Sequence, residues 1–229
     1  MSRARPKSFQ RQAAAAGYEQ GGGCFDFLVI PAVVLLASVS LGFLSLRNIP
    51  PVDSANPPRA APSALSPIFR AEVLYWADSI SRWAAAAGLD PNLAATVMQI
   101  ESCGDPRARS SAGAMGLFQV MPFHFHALDN PYDPETNAAR GLAYLARSLA
   151  AGGGDARLAL AGYNGGIGVI SRGEWSWPAQ TKRYVRYGVP IYEDARGGFS
   201  SSAALSEWYE KYGAGLCRQA GRRLGLSGL

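Results

Sequence analysis

Cysteine and histidine are scarce in this chain. Three cysteines (Cys24, Cys103, Cys217) and two histidines (His124, His126) stand among 229 residues. No Cys-x-x-Cys or Cys/His spacing occurs, which excludes the usual structural zinc sites. His124 and His126 lie two apart next to Phe123 and Phe125 with no third ligand near them in sequence, so they read as a helix start or loop flank. Nothing asks for a metal or any other cofactor. Lys and Arg never run longer than a pair, and the net charge is only +5. Such a charge suits an anionic envelope polymer or membrane surface, and without a basic cluster it argues against a nucleic-acid partner. Strand-like alternation is nearly absent, so the folded part is expected to be mainly α. The 48% hydrophobic share is enough for one ordinary core, although one long apolar run accounts for part of it.

That run separates the chain into unequal parts. Residues 1–26 are polar, carry Arg3, Arg5, Lys7 and Arg11, and read as a disordered basic N-terminus. From Phe27 to Leu46 there is no charged residue, a stretch of about 20 residues and long enough to cross a bilayer core of about 30 Å as a helix. We expect a transmembrane anchor over 27–46, with Pro31 near its start where a helix tolerates it. The basic residues before it place the N-terminus and Cys24 in the cytoplasm and the remainder outside, in the cytoplasmic (inner) membrane and facing the wall. A cleaved signal ending among Ala37 to Ser40 is the alternative. Residues 47–66, with Pro50, Pro51, Pro57, Pro58 and Pro62, form a semi-extended linker, and the folded domain is expected over 67–229.

Helix signals then recur. Ser66-Pro67 predicts a cap and one helix whose face carries Phe69, Val73, Trp76, Ile80, Trp83 and Ala87, ended by Gly88. Asp90-Pro91 starts a second, with Leu93, Val97 and Ile100 on its apolar side. Asp133-Pro134 starts a third, with Ala138, Leu142, Leu145 and Leu149. Asp155 restarts a helix that runs to Asn164, where the glycine after it supplies a left-handed exit. A further helix over Ala179 to about Glu193 carries Tyr184, Tyr187 and Tyr192. The tail, with Trp208, Tyr209 and Leu216, reads as one or two short helices.

Glu101 closes the second helix, at the edge of its buried face and just before a glycine-rich turn. A carboxylate in a last turn faces the negative end of the helix dipole, so stability alone does not favour it there. Desolvation would disfavour its charged form. A lone acid placed this way suggests acid–base chemistry on a neutral polymer.

Glu101-Ser102, the stretch Gly113 to Pro122 (GAMGLFQVMP), Gly162-Tyr163-Asn164-Gly165-Gly166 and Tyr184-Val185 together resemble, in order and spacing, the motif series of soluble-type (SLT) lytic transglycosylases. Gly162 and Gly165 stand where the family usually has alanines, and Phe118 where methionine is commonest. The resemblance implies a goose-type lysozyme-like domain acting on peptidoglycan glycan strands. It implies cleavage of the β-1,4 bond between N-acetylmuramic acid and N-acetylglucosamine with formation of 1,6-anhydro ends, Glu101 serving first as acid and then as base. By motif position Ser102, Gln119, Met121, Tyr163, Asn164 and Tyr184 are expected to line the glycan groove. The alternatives are a hydrolytic lysozyme, recruiting Asp105, Asp129, Asp133 or Glu135 as second acid, and a tethered module that binds glycan without cutting. Outside the cytoplasm Cys103 and Cys217 are candidates for a disulfide, with Cys103 as a plain buried residue the alternative.

Overall fold

A computed structural model of the protein describes residues 65–226. The expected anchor over 27–46, and all of the linker except its last two residues, lie outside the described residues. Among the described residues no helix is long and apolar enough to cross a membrane.

The described part is helical: α1 (Ala71–Leu74), α2 (Ala77–Ala87), α3 (Pro91–Glu101), α4 (Pro134–Ala151), α5 (Ala156–Gly165), α6 (Ala179–Arg196), α7 (Ala203–Trp208) and α8 (Ala214–Leu224), with a π turn over Tyr209–Gly213 joining the last two. Among the described residues β structure is limited to two isolated bridges, Arg109 with Met115 and Met115 with Val120.

Helix α3 runs through the centre. Every residue from Pro91 to Gln99 is buried, against α1, α2 and α6. Each large apolar side chain so enclosed, such as Leu93, Val97 or Met98, contributes about 1.5–3 kcal/mol. Its buried polar residues are all satisfied, as burial requires. The Asn92 amide oxygen accepts from the Ser66 backbone N–H at 2.9 Å, and that of Gln99 accepts from the Arg70 N–H at 3.1 Å. The Thr96 hydroxyl bonds back to the Asn92 carbonyl at 2.8 Å.

Those long-range acceptors change the start of the domain. Ser66-Pro67 does not open a helix: the Ser66 and Arg70 N–H groups are taken by the Asn92 and Gln99 side chains of α3, while the Ile68 N–H reaches the Ser66 hydroxyl only at 3.5 Å. The first helix begins at Ala71, and it breaks at Tyr75–Trp76, where the Trp76 indole N–H donates to the Gly104 carbonyl at 2.9 Å. The other caps form as expected. The side chains of Asp90, Asp133 and Asp155 accept from backbone N–H groups of α3, α4 and α5, and Gly88 ends α2 at φ 68°. Helix α5 exits through Gly166 at φ 85°, one residue later than the Asn164-Gly165 pair suggested.

The tail is bound to the end of α3 twice. Cys103 and Cys217 form a disulfide across 114 residues of sequence. The fully buried Asp105 carboxylate accepts from Arg223 at 2.7 and 2.8 Å and from Gln219 at 2.8 Å, while one of its oxygens also receives the Arg107 N–H at 2.9 Å. Asp105-Pro106 opens a turn closed by the Ala108 N–H on the Asp105 carbonyl at 3.2 Å, and its acid pairs with the tail. Replacing both Cys103 and Cys217 by alanine should lower unfolding stability by about 2–5 kcal/mol, since the unfolded chain regains a long loop. Urea unfolding measures this, and an unchanged midpoint would show that the clamp adds nothing.

Candidate active site

The glycine-rich stretch after Glu101 is shaped by one asparagine. Asn137, buried in the first turn of α4, donates its amide N–H groups to the carbonyls of Met115 and Pro131, both at 2.8 Å, and accepts from the Phe118 N–H at 2.8 Å. Gly116, at φ 75°, packs on that amide so closely that a Cβ there would collide with it. The loop therefore turns tightly and holds Gln119 at φ 45°, a left-handed angle that costs a non-glycine residue about 1 kcal/mol or more. Gln119 Nε2 donates to the Gly116 carbonyl at 3.1 Å, which leaves its amide oxygen for a ligand. On the other flank the Tyr163 hydroxyl donates to the Phe118 carbonyl at 2.6 Å. Gly141 makes that approach possible, since a Cβ on it would stand 2.5 Å from Phe118 Cβ and 3.2 Å from the Tyr163 hydroxyl.

Two adjoining cavities follow. One of about 200 Å³ is lined by Glu101, Asn164, Tyr184 and the side chains of α6 and the tail that face them. The other, about 170 Å³, is lined by Gln119, Met121, His124, Tyr144, Tyr163 and Asn164, among others. Asn164 belongs to both. The Thr181 hydroxyl donates to its amide oxygen at 3.1 Å, which leaves the Nδ2 donors available where the cavities meet. Six of the seven residues singled out by sequence thus share one continuous wall.

Ser102 does not. It is fully buried, and its hydroxyl donates to the Leu117 carbonyl at 2.6 Å while accepting from the Gly104 N–H at 3.1 Å. The expectation that it lines a groove is corrected: it ties the end of α3 to the glycine-rich loop.

Glu101 is half-buried as a residue, but its carboxyl lies deep enough that desolvation pushes its pKa up from 4.5 to about 8. The approach of the Tyr184 hydroxyl pulls the other way, and by less. That hydroxyl is buried without a completed hydrogen bond among the described residues, so its contact with the acid is loose. Tyr163 and Tyr184 are both pushed well above the ordinary tyrosine range, first by burial and then by the Glu101 charge. They stay neutral donors at any physiological pH.

The other acids are occupied. Asp105 pairs with Arg223, and Asp129 with Arg140 at 2.7 Å. Asp133 caps α4, and Glu135 accepts from Arg82 and from the Trp83 indole N–H at 2.6 Å. His124 sits in the second cavity with its ring 4.7 Å from that of Tyr144, and burial lowers its pKa, so it is neutral near pH 7. Among the described residues the one cluster with metal-ligand spacing is Glu72, Cys103 and Cys217, and the disulfide consumes both thiols.

The family profile for the transglycosylase SLT domain matches residues 78–184. That stretch of the chain is thus similar to the SLT family. A transglycosylase of Enterobacteria phage PRD1 is 42% identical to it over 113 residues, which cover 48% of this chain and 40% of that protein. The membrane-bound lytic murein transglycosylase E of Buchnera aphidicola is 30% identical over 83 residues, covering 31% of this chain and 38% of its own. The endo-type membrane-bound lytic murein transglycosylase A of Klebsiella pneumoniae is 31% identical over 106 residues, covering 41% and 50%. The chain thus spans half or less of these relatives' lengths. Among solved structures, an inactive variant of lytic transglycosylase Slt from Pseudomonas aeruginosa aligns at TM-score 0.45 and 24% identity, over 53% of this chain and 24% of that one. The 70 kDa soluble lytic transglycosylase of Escherichia coli aligns at 0.39 and 23%, over 59% and 24%.

Within the SLT domain, sequence reasoning missed Asn137, Thr181 and the α6 residues beside Tyr184. The α6 residues were legible in principle, because Gln180, Arg183, Tyr184 and Tyr187 follow helical spacing along one face. Asn137 gave only the weak signal of a poor helix former inside a first turn.

The raised pKa of Glu101 fixes a sign for stability. Between pH 4.5 and about 8 the folded protein keeps a proton that the unfolded chain has lost, so stability falls as pH rises through that window. Glu101→Gln has no such proton and should be stabilised relative to the parent at pH 8 but little changed at pH 4. Urea midpoints at the two pH values give the comparison, and parallel pH dependence in both proteins would refute the raised pKa.

Proposed function

We propose that this chain is a peptidoglycan lytic transglycosylase that cuts the β-1,4 bond after N-acetylmuramic acid and closes a 1,6-anhydro ring. The observation that carries the reading is a single carboxyl, Glu101, kept protonated near neutral pH. Among the described residues lining the two cavities it is the one acid. An inverting glycosidase needs a second carboxylate to activate water, and a retaining one needs it as nucleophile. The four other acids near the site in sequence are held by partners of their own. A nucleophile carried by the sugar removes the need for them.

In this mechanism the protonated Glu101 gives its proton to the glycosidic oxygen as the bond to C1 breaks. The sugar's own acetamido group stabilises the cationic centre. The Glu101 carboxylate then takes the proton of the C6 hydroxyl while that oxygen bonds to C1, which restores the starting acid without water. Burial suits both halves, since it makes the neutral acid a ready donor and the transient carboxylate a stronger base. Tyr184 steadies the carboxylate. The Nδ2 donors of Asn164 and the amide oxygen of Gln119 match the two ends of an N-acetyl group. Tyr163 and Met121 offer apolar surface to sugar rings.

The membrane-bound names of two relatives, together with the uncharged run over 27–46, support a tethered enzyme with its catalytic part on the outer side of the cytoplasmic membrane. The lysozyme-like fold is proposed on the family resemblance.

Digestion of purified sacculi with the full chain, followed by mass analysis, should release anhydro-ended muropeptides. Glu101→Gln should reduce release by about 10³-fold or more, because it keeps the shape and loses the proton. Reducing ends would indicate the hydrolytic alternative, and undiminished cutting by Glu101→Gln would overturn the mechanism.

A further inference from the structure

The cavity that holds Glu101 has a wall the mechanism draws on only at Tyr184. It is formed by one stripe of α6, Gln180, Arg183, Tyr184 and Tyr187, and by Trp208 and Tyr212 from the C-terminal segment. Except for Gln180, Arg183 and Tyr184, these residues lie beyond the span matched to the family profile. The stripe follows i, i+3, i+4, i+7, so its members project to one side. Trp208 is the buried part of this wall, while Tyr212 is 51% exposed at the cavity mouth. From Tyr209 to Gly213, a span that includes Tyr212, the chain takes the π turn, a distortion that recurs at functional sites.

Arg183 is the unusual member. Its guanidinium carbon lies 5.4 Å from the centroid of the Tyr212 ring, a stacking that holds the planar fork at the cavity mouth. None of the ion pairs among the described residues includes it. Glu207, the acid the tail brings to this side, accepts from Tyr187 at 3.0 Å and Lys211 at 2.6 Å and pairs with Arg186 at 3.6 Å. Glu101 in the same cavity is neutral at pH 7. A cation therefore lines the cleft with no protein charge to balance it.

We propose that Arg183, seated on Tyr212 and flanked by Gln180, is a carboxylate-binding subsite that makes this enzyme select glycan bearing a free carboxylate beside the scissile bond. A guanidinium fork takes a carboxylate through two parallel hydrogen bonds, and the Gln180 amide can add a third. On peptidoglycan such a carboxylate comes from the lactyl ether of the muramic sugar or from the peptide attached to it. The disulfide and the Asp105–Arg223 pair fix the segment that carries Tyr212, so the subsite is held in place before substrate arrives. The inference rests on the glycan-cleavage reading.

The test measures kcat and KM of the full chain on three matched substrates: peptide-stripped glycan with free lactyl carboxylates, peptide-bearing glycan with free carboxylates, and the latter with its carboxylates amidated. The parent should favour at least one carboxylate-bearing substrate over the amidated one by about tenfold in kcat/KM, through KM. Which of the first two is favoured identifies the source of the carboxylate. Arg183→Gln should bring that ratio close to unity, Arg183→Lys should retain part of it, and Tyr212→Ala should reduce it. Arg186→Gln, which removes an exposed charge one turn away that does not line the cavity, should leave the ratio as it is. Thermal melts of the variants confirm that each is folded. A parent that cuts all three substrates equally, or an Arg183→Gln variant that keeps the parental ratio, overturns the subsite alone. A parent that releases nothing from any of them overturns the glycan-cleavage reading, and this inference with it.

Discussion

Helix α3 stops at Glu101 because the backbone after it is driven into two consecutive left-handed residues, Cys103 at φ 50° and Gly104 at φ 82°. Glycine takes that angle freely, but a cysteine does so at a cost. The cost is met by what grips the turn. Cys103 is bonded to Cys217, Gln99 Nε2 donates to its sulfur at 3.1 Å, and the next acid, Asp105, is clamped by Arg223 and Gln219. The same turn brings the glycine-rich loop against the end of α3, where the Ser102 hydroxyl donates to the Leu117 carbonyl at 2.6 Å. Glu101, the last residue of the helix, lies beside that junction, and its pKa is raised chiefly by desolvation.

This explains a division among the polar groups. Side chains along α3 and in the turn after it, including Asn92, Thr96, Gln99, Ser102 and Asp105, are buried and satisfied, and they act on backbone or on the tail. Side chains that reach the cavities keep at least one donor or acceptor spare. Asn164 has its oxygen fixed by Thr181 and its Nδ2 group left over, while Gln119 has the reverse arrangement. An amide anchored at one end presents the other at low entropic cost, which suits recognition of a ligand that is itself an amide.

How much of this the sequence disclosed depended on distance along the chain. Asp90-Pro91 and Asp133-Pro134 were readable as helix starts because cap and capped N–H lie within three residues. Ser66-Pro67 carries a similar signature and opens no helix, because Asn92 and Gln99 take the Ser66 and Arg70 N–H groups, 26 and 29 residues away, and tie that stretch to α3. Ser102 misled for a related reason. Its place beside Glu101 in a motif says that it matters and not which way it points, and in the fold it joins two loops. Asn137 was barely legible, since its three partners lie 6 to 22 residues away and none is a side chain. Glu101, in contrast, was legible, because a carboxylate at the wrong end of a helix dipole is a local anomaly.

A neutral acid and an unbalanced cation can share one small cavity only if they differ in solvent exposure. The pKa of Glu101 is set by its own desolvation, opposed by the Tyr184 hydroxyl. Arg183 stands at the mouth, exposed and stacked on a half-exposed ring, where water screens it from the acid. A ligand that fills the mouth displaces that water and strengthens the field of any charge beside it. A carboxylate over Arg183 cancels that field, so the anionic glycan proposed to bind at the rim leaves the desolvated acid at the floor protonated for the proposed cleavage.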